Sequence, residues 1–596
     1  MINGFLFSRF YNPLSNHENH SLRVSIARLF GETPSTHNWV SSVLFSPPHL
    51  LNRLTMPAAA KWEVIASRHR AKQQQAIPQA WTIPDSKLKE LSGTGTGHEG
   101  RLIALNALGK SALLTEKELD ISGNYTAREL LDKIHGRDLS SEEVTLAFCK
   151  RAAVAQQLTS CLTEIFFHQG IARARQLDQH MIATGRPFGP LHGLPISLKD
   201  SFVIEGHHAT VGYVEFLKRP PPTANSAMVD LLLDAGAVFF CKTNIPQTLM
   251  TADSENNIFG RTLNPHKTSL TAGGSTGGEG ALISFRGSVL GIGTDIAGSI
   301  RIPSLCCGIY GFKPTADRIP FGGQSNFPFP ILRLPGVTPV AGPMANSVGD
   351  LTLLMETTLA RRPWDYDASS VNTPWRNLDD GVKTLTIGLL PEDPNYPLHP
   401  PAAGHNVVHL PSDPSRSASV GGRLGFSYFG MTSSGLDALA NTIGEPLVPS
   451  VKRNVHPFND NKPPISPELD TAHQLSEFLR LRSGYADSWR STWRDNNLDV
   501  VVGPGAISTA VPHDTYGAPV YTLMWNVLDY PAGIIPYGVA SKDKDFQYQK
   551  AITPFDADYD PEASDGAPCA IQVVAPRFRD EECLQAMRII DRDIRQ

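Results

Sequence analysis

Apolar residues recur at helical spacing along the first part of the chain. Over residues 61–75 they recur among many charged residues, which predicts a surface helix that ends before Pro78. Residues 126–136 predict a second helix, with Thr126 as its N-cap. The residues "SSEE" at 140–143 have the spacing of a capping box, and they predict the start of a third helix.

Short apolar runs bounded by glycine replace this pattern further along the chain. Residues 189–202 mix turn residues with the alternation of a short strand, and residues 227–244 predict a helix, a glycine turn and a buried strand. Further buried strands are predicted within residues 287–295, 385–390 and 498–505. Helices that alternate with buried strands indicate a core of the α/β class.

One segment departs from this architecture. Residues 391–406 separate two apolar runs, contain five prolines and show no helical period. A crossover between parallel strands needs about a dozen residues or more, usually helical, and proline prevents the helix. Two interpretations stay open: the flanking strands are not joined in this way, or a helix has been lost.

The composition narrows the class of protein. With 41% hydrophobic and 19% charged residues, disorder throughout the chain is excluded. The net charge is −5 and the basic residues are scattered, so we expect a small neutral molecule as partner and no nucleic acid. No apolar run approaches the roughly 18 residues of a transmembrane helix. The seven cysteines lack a C-x-x-C pattern, which argues against disulfides or zinc, and adjacent Cys306 and Cys307 are predicted to pack in the core.

A glycine-rich loop at residues 269–280 is the first candidate for chemistry. A phosphate-binding loop would need a lysine where Glu279 stands, and a carboxylate there would repel phosphate. Residues 273–277 satisfy the G-x-S-x-G pattern of a nucleophile elbow, but the residues before them are polar and contain a proline, whereas the elbow requires a strand. Both interpretations are therefore disfavoured.

A third interpretation uses a second serine. Ser299 follows Ser275 by 24 residues, in a turn where Ala297 and Gly298 have almost no side chain. Unhindered N–H groups in such a turn can bind an oxyanion, which would make Ser299 a nucleophile. The candidate base is Lys199, whose pKa would have to fall by roughly three units, or about 4 kcal/mol, through burial. Lys199, Ser275 and Ser299 would then form a proton relay.

Longer stretches around these residues, and two stretches near the C-terminus, resemble the amidase signature family, in the branch of fungal acetamidase-like and fatty-acid-amide-hydrolase-like enzymes. The stretches are residues 193–200, 273–283, 290–315, 528–539 and 566–591. The resemblance covers roughly residues 60–596. It implies a large mixed central β-sheet sandwiched between helices, and the hydrolysis of a carboxamide to a carboxylic acid and ammonia or an amine.

The resemblance assigns roles to particular residues. Lys199 is implied to be the base, Ser275 the bridging residue, and Ser299 the nucleophile that forms an acyl-enzyme. The family holds the bridging serine through a cis peptide bond, here between Gly274 and Ser275. Asp295 and Arg301 would pair to stiffen the following turn. The residues implied to contact substrate are Leu249 in the acyl pocket, Ser275, and the oxyanion turn of Ile296, Ala297, Gly298 and Ser299.

Three features depart from the family pattern. Thr276 replaces the usual second serine, which keeps a hydroxyl and adds a methyl group. Ala297 replaces a glycine of the oxyanion turn, and a positive φ there would cost about 1 kcal/mol and could shift an N–H group. Residues 391–406 stand where relatives have a helix.

We therefore expect a cytoplasmic amidase that needs no metal or cofactor and acts on small or medium carboxamides, and a homodimer stays open. A catalytically impaired relative acting as a binding protein, and the glutaminase-type subunit of an amidotransferase, stay open as alternatives. Residues 126–596 are expected to form the amidase domain, and residues 56–125 a helical extension packed on it. Residues 1–55 are expected to be a disordered leader, with a mitochondrial presequence as the alternative.

Overall fold

The computed structural model describes the chain from residue 58 to residue 595 with internal gaps. The gaps are residues 93–99, 326–334, 380, 382–383, 392–405, 433–442, 454–463, 545–546 and 552–555. Residues 1–57 and 596 also lie outside the described residues, and so does the leader expected at residues 1–55.

Strands and helices alternate through most of the described residues. The strands are β1 Leu162–Ile165, β2 Pro195–Lys199, β3 Val238–Thr243, β4 Glu255–Asn256, β5 Gly260–Arg261, β6 Leu290–Asp295, β7 Tyr310–Lys313, β8 Val340–Ala345, β9 Thr386–Leu389, β10 Asn406–His409, β11 Val500–Gly503, β12 Ala532–Val539 and β13 Pro568–Val574. The helices are α1 Ala58–Gln75, α2 Asp85–Leu91, α3 Ala107–Ser111, α4 Glu116–Asn124, α5 Ala127–Gly136, α6 Ser141–Thr159, α7 Phe167–Thr184, α8 Ala227–Asp234, α9 Gly277–Ser284, α10 Arg301–Cys307, α11 Val348–Ala360, α12 Ala418–Thr432, α13 Pro449–Arg453, α14 Thr471–Asp495, α15 Val520–Leu528, α16 Pro561–Ser564 and α17 Asp580–Ile594.

Eleven of the described strands form one mixed sheet, and β4 pairs with β5 separately. The order across the large sheet is β1-β3-β2-β6-β8-β7-β12-β13-β11-β9-β10. Strand β2 runs parallel to both of its neighbours, β3 and β6, whereas β8 is antiparallel to β6 and β7. The large mixed sheet of the α/β class is therefore confirmed.

Helices cover both faces of this sheet. Consecutive residues of a strand point to opposite faces. Val500 packs in one hydrophobic cluster with Leu351 of α11, whereas the next residue, Val501, packs in a second cluster with Trp489 of α14 and Trp525 of α15. The sheet is thus sandwiched between helices, as the resemblance implies.

The helices expected before the sheet are present as α1, α5 and α6. Thr126 and Ser140 cap α5 and α6, and each accepts a hydrogen bond from the backbone N–H three positions further on. The residues at those positions, Glu129 and Glu143, accept in return from the backbone N–H of the cap. Both capping boxes satisfy N–H groups that a helix otherwise leaves unpaired.

The strands on either side of the proline-rich segment are parallel neighbours. Thr386 of β9 lies opposite Asn406 of β10, and Leu389 lies opposite His409. The interpretation that these strands are not joined as a parallel pair is therefore wrong. Residues 392–405 of the connection lie outside the described residues. The loss of a helix there stays a prediction.

Candidate active site

Three segments that meet at one edge of the sheet carry the candidate residues. Lys199 is the last residue of β2, Ser275 lies in the loop before α9, and Ser299 lies in the turn between β6 and α10. Strands β2 and β6 are parallel neighbours, with Leu198 opposite Ile292. Parallel neighbours end at the same edge of a sheet, where loops and turns commonly build a site.

The Lys199 amine is buried among neutral oxygen atoms. Its Nζ lies 2.8 Å from Ser275 Oγ, 2.7 Å from Thr294 Oγ1 and 3.4 Å from Thr294 O. In the described part of the chain these atoms are its hydrogen-bond partners. A neutral amine has one lone pair and two N–H donors. The three contacts match a neutral amine if the Ser275 hydroxyl donates to the lone pair, and they match the three N–H donors of an ammonium equally well.

Burial favours the neutral form of this amine. The side chain is 0% exposed, and its removal from water lowers the pKa of Lys199 to about 7. The charges of the Asp295 and Asp200 carboxylates oppose this shift without reversing it. The lysine can therefore accept a proton near neutral pH.

Ser275 and Ser299 carry the two hydroxyl groups of the expected relay. Ser275 follows a cis peptide bond after Gly274 and is buried, and its hydroxyl contacts Lys199. No hydrogen bond joins the two serine hydroxyls in the described structure. Contacts of this kind are often long before substrate binds and shorten in the complex. The structure thus brings Lys199 and Ser275 together, and the second link of the relay is not closed.

A buried ion pair shapes the turn that carries Ser299. Arg301 Nη2 lies 3.0 Å from Asp295 Oδ1, and Arg301 Nε lies 3.0 Å from Asp295 Oδ2. Asp295 also accepts hydrogen bonds from the backbone N–H groups of Gly298 at 2.8 Å and Ile300 at 3.1 Å. Although burial opposes it, the charge of Arg301 holds the pKa of Asp295 well below its usual range. An ionised Asp295 therefore fixes the path of the backbone.

One N–H group of the expected oxyanion turn already has an acceptor within the protein. The Gly298 N–H is used by Asp295, so it is not free for an oxyanion. No acceptor among the described residues contacts the N–H groups of Ile296, Ala297 and Ser299. These three groups are the donors that the turn leaves available.

The turn requires glycine at position 298 and not at position 297. Gly298 has a φ of +129°, and a Cβ there would lie 2.3 Å from Thr522 Oγ1. Ala297 is not among the residues with positive φ, and its carbonyl oxygen accepts a 2.6 Å hydrogen bond from Thr522 Oγ1. Ala297 therefore does not carry the backbone strain that a positive φ would cause.

A cavity of about 100 Å³ lies in front of the turn. Ser299 and Gly274 line it, together with the Leu249 side chain at the position expected for the acyl pocket. Other apolar walls come from Ile296 and Ile302. A group bound there would lie beside the Ser299 hydroxyl.

Several residues of the site were not predicted from the sequence. Thr294, which contacts Lys199 twice, stands beside Asp295 in a strand with no polar pattern of its own. Phe426 and Phe429 of α12 line the cavity, and their spacing of three along an apolar helix could have marked them as one face. Tyr516 also lines it, and no signal in the sequence pointed to this residue.

The adjacent cysteines of α10 pack in the interior, as expected. Cys306 and Cys307 are both fully buried, and burial raises the pKa of each thiol well above its ordinary value. Among the described residues, no group of three or more His, Cys, Asp or Glu side chains could hold a metal ion. No helix of the described segments is long and apolar enough to cross a membrane.

Comparison with known proteins shows the family to which the chain belongs. A family model described as Amidase matches residues 143–584. The chain belongs to the amidase family. An amidase of Gibberella moniliformis is 37% identical over 548 residues, which covers 89% of this chain and 99% of the relative. An acetamidase of Aspergillus oryzae is 35% identical, and the match covers 89% of this chain and 98% of that protein.

A solved structure extends the likeness to the fold. A fatty acid amide hydrolase superposes with a TM-score of 0.79 at 29% identity, over 90% of this chain and 96% of the other. As a member of the amidase family, the protein is a hydrolase that acts on amides.

Proposed function

We propose that this amidase cleaves its substrate through an acyl-enzyme, with Ser299 as nucleophile, Ser275 as proton bridge and Lys199 as base. The observation that carries the proposal is the Lys199 amine. It is buried, it lies 2.8 Å from the Ser275 hydroxyl, and burial lowers its pKa to about 7. A neutral amine in that position can accept a proton that a charged surface lysine would not accept.

The reaction begins with attack of Ser299 Oγ on the amide carbonyl carbon. As the new C–O bond forms, the Ser299 proton passes to Ser275, and the Ser275 proton passes to Lys199. The oxyanion receives hydrogen bonds from N–H groups of the turn at residues 296–299, with Gly298 excluded because Asp295 occupies its N–H. The negative charge therefore develops where donors are already fixed.

Collapse of the intermediate breaks the C–N bond. The leaving amine takes its proton from Ser275, which recovers one from Lys199, and the acyl group stays on Ser299. Water then attacks the ester carbon while the same relay accepts its proton, and the carboxylic acid leaves with the Ser299 hydroxyl restored. All proton transfers return the three residues to their starting forms.

The cavity supports a small or medium carboxamide with an apolar acyl group. Its lining includes the apolar residues Leu249, Ile296, Phe426 and Phe429, and polar residues such as Arg453, Asp514 and Tyr516 line it as well. Relatives named amidase and acetamidase match along nearly their whole length, which favours hydrolysis over a subunit of an amidotransferase. The strain-free Ala297 removes one of the reasons for considering an impaired relative.

Hydroxylamine tests the acyl-enzyme. Because it competes with water for an ester on Ser299, we expect acetamide, or a longer amide that proves a better substrate, to give the hydroxamate in proportion to added hydroxylamine. The release of ammonia would stay constant or rise. Both products can be measured in one reaction, with heat-inactivated enzyme as control. Steady hydrolysis without hydroxamate would contradict a covalent intermediate.

Substitutions at positions 298 and 297 test the role of the backbone turn before Ser299. We expect Gly298→Ala to lower kcat by about 10²-fold, because its methyl group would collide with Thr522 and displace the oxyanion donors. Ala297→Gly is the matched variant, and we expect its kcat to stay within about tenfold of the unchanged enzyme, because no positive φ is relieved there. Steady-state kinetics, with circular dichroism to check folding, compares the two. Equal losses would contradict the assignment of the special backbone position to Gly298.

A further inference from the structure

Glu279 is a buried carboxyl close to the strand that carries Lys199, and the proposed reaction does not use it. It lies in the first turn of α9 and is 0% exposed. Its Oε1 lies 2.9 Å from Thr243 Oγ1 on β3, and its Oε2 lies 2.5 Å from Ser197 Oγ on β2. Ser197 precedes Lys199 by two residues, so both belong to the same face of β2. A Cβ at Gly291 of β6 would lie 2.0 Å from Oε2, so glycine there admits the carboxyl.

The hydrogen-bond chain around Ser197 restricts where the protons can be. Ser288 Oγ lies 2.9 Å from the carbonyl oxygen of Leu290, which can only accept, so the Ser288 proton is used there. Ser197 Oγ lies 2.8 Å from Ser288 Oγ and donates its single proton to it. The 2.5 Å contact between Ser197 and Glu279 then needs a proton from Glu279.

The ionised alternative fits this chain less well. Ser197 would have to donate to Glu279, and Ser288 to Ser197. The 2.9 Å contact between Ser288 Oγ and Leu290 O would then join two acceptors with no proton between them. The count of donors therefore favours a carboxylic acid at Glu279.

The surroundings of Glu279 also disfavour a charge. In the described part of the chain, no lysine, arginine or histidine forms an ion pair with it. A buried carboxylate without such a partner is costly. Burial raises the pKa of Glu279 to about 8, although hydrogen bonds from Ser197 and Thr243 and the charge of Lys199 act in the opposite direction.

The other titratable groups near Lys199 and Glu279 have partners or are kept neutral by burial. They are Asp200, Asp295, Cys161 and Cys241. Asp295 is paired with Arg301, and Asp200 accepts hydrogen bonds from the backbone of Thr210 and Val211. Burial raises the pKa of both thiols, which keeps them neutral. Glu279 is thus a neighbour of Lys199 whose charge is not fixed by a partner.

We infer that Glu279 stays protonated during catalysis and acts as a positioning residue for Lys199. Its neutral carboxyl joins α9 to β2 and β3 through Ser197 and Thr243. Because this carboxyl is neutral, it places no negative charge near the Lys199 amine, and such a charge would favour the ammonium form. This inference rests on the proposed role of Lys199 as base, since that role needs a neutral amine.

The pH dependence of Glu279→Gln is the first test. Glutamine keeps one acceptor for Thr243 and supplies an N–H donor for Ser197. Because the charge at this position does not change, we expect the acid-side midpoint of kcat/KM to move by less than about 0.3 pH unit. If Glu279 were ionised in the unchanged enzyme, loss of its charge would lower the pKa of Lys199. A midpoint lower by about one pH unit or more would overturn the inference.

Infrared difference spectroscopy is the second test and does not depend on turnover. At about pH 6 ordinary carboxyls are ionised, so we expect the spectrum of the unchanged enzyme minus that of Glu279→Gln to show the C=O stretch of a protonated carboxylic acid. Ser197→Ala removes the acceptor of the Glu279 proton and should shift this band, which provides an assignment even if the glutamine variant does not fold. Absence of the band would overturn the inference.

The two tests separate this inference from the proposed function. A protonated-acid band together with an active Ser299→Ala or Lys199→Ala enzyme would mean that the relay is wrong and that the protonation of Glu279 stands. A missing band together with inactive relay variants would mean that the relay stands and that the role given to Glu279 is wrong.

Discussion

Replacing Ser299 by alanine is expected to lower kcat/KM for amides by about 10⁴-fold or more while the protein stays folded, because loss of a nucleophile disables the whole relay. The Ser299 side chain is only 8% exposed, and its hydroxyl has no hydrogen-bond partner among the described residues. Its removal therefore leaves no buried group unpaired. We expect the thermal midpoint to change by less than about 2 °C.

A second serine on the next helix is the matched control. Ser304 is fully buried in α10, and its Oγ donates to the carbonyl oxygen of Ile300 at 2.8 Å. Ser304→Ala loses a hydrogen bond that contributes about 1 kcal/mol but no proposed chemical role, so kcat/KM should stay within about threefold. Activity of Ser299→Ala above a tenth of that of the unchanged enzyme would contradict the assignment of the nucleophile.

The second large effect is expected at Lys199. Lys199→Ala removes the base, and we expect kcat/KM to fall by about 10³-fold or more. Lys199→Arg distinguishes a base from a charge, because a guanidinium stays protonated at any working pH. If the neutral amine is what matters, the arginine variant should be as inactive as the alanine variant. An arginine variant that keeps about a tenth of the activity or more would indicate a purely electrostatic role.

Much of the fold could be predicted because its signals are local. The capping boxes at Thr126 and Ser140 are complete within four residues, and the buried strands are short apolar runs between glycines. The two glycine-rich segments around Ser275 and Ser299 could be found for the same reason. Each places a serine among small residues within a short stretch, so the segment can be recognised without knowledge of the rest of the chain.

Contacts set by the register of strands could not be predicted in this way. Thr294 reaches Lys199 because β6 lies beside β2 in parallel, and Glu279 reaches Ser197 because α9 packs on the same strands. The two residues of each pair are far apart in sequence. No local sequence pattern around Thr294 or Glu279 indicates which residue it contacts. The lining of the cavity depends likewise on Phe426 of α12, which packs there only in the folded chain.

The turn at Ser299 shows how a single backbone angle changes an interpretation. Comparison with the family pattern drew attention to Ala297, where a glycine is usual. The positive φ falls instead on Gly298, whose N–H is bound by Asp295. Since residue type alone does not give φ, this distinction required the structure. It leaves Ala297 as a tolerated replacement.

The rate at which a fluorophosphonate labels Ser299, measured as a function of pH, tests the central claim most directly. Labelling requires an activated hydroxyl but no departing amine, so it reports on the relay itself. Because the neutral amine is the base, the rate should rise with pH through a midpoint near 7, the value to which burial lowers the pKa of Lys199. Peptide mapping should place the label on Ser299. A label on another residue, or a rate on Ser299 that rises only near the ordinary lysine pKa of about 10.4, would contradict the buried neutral base.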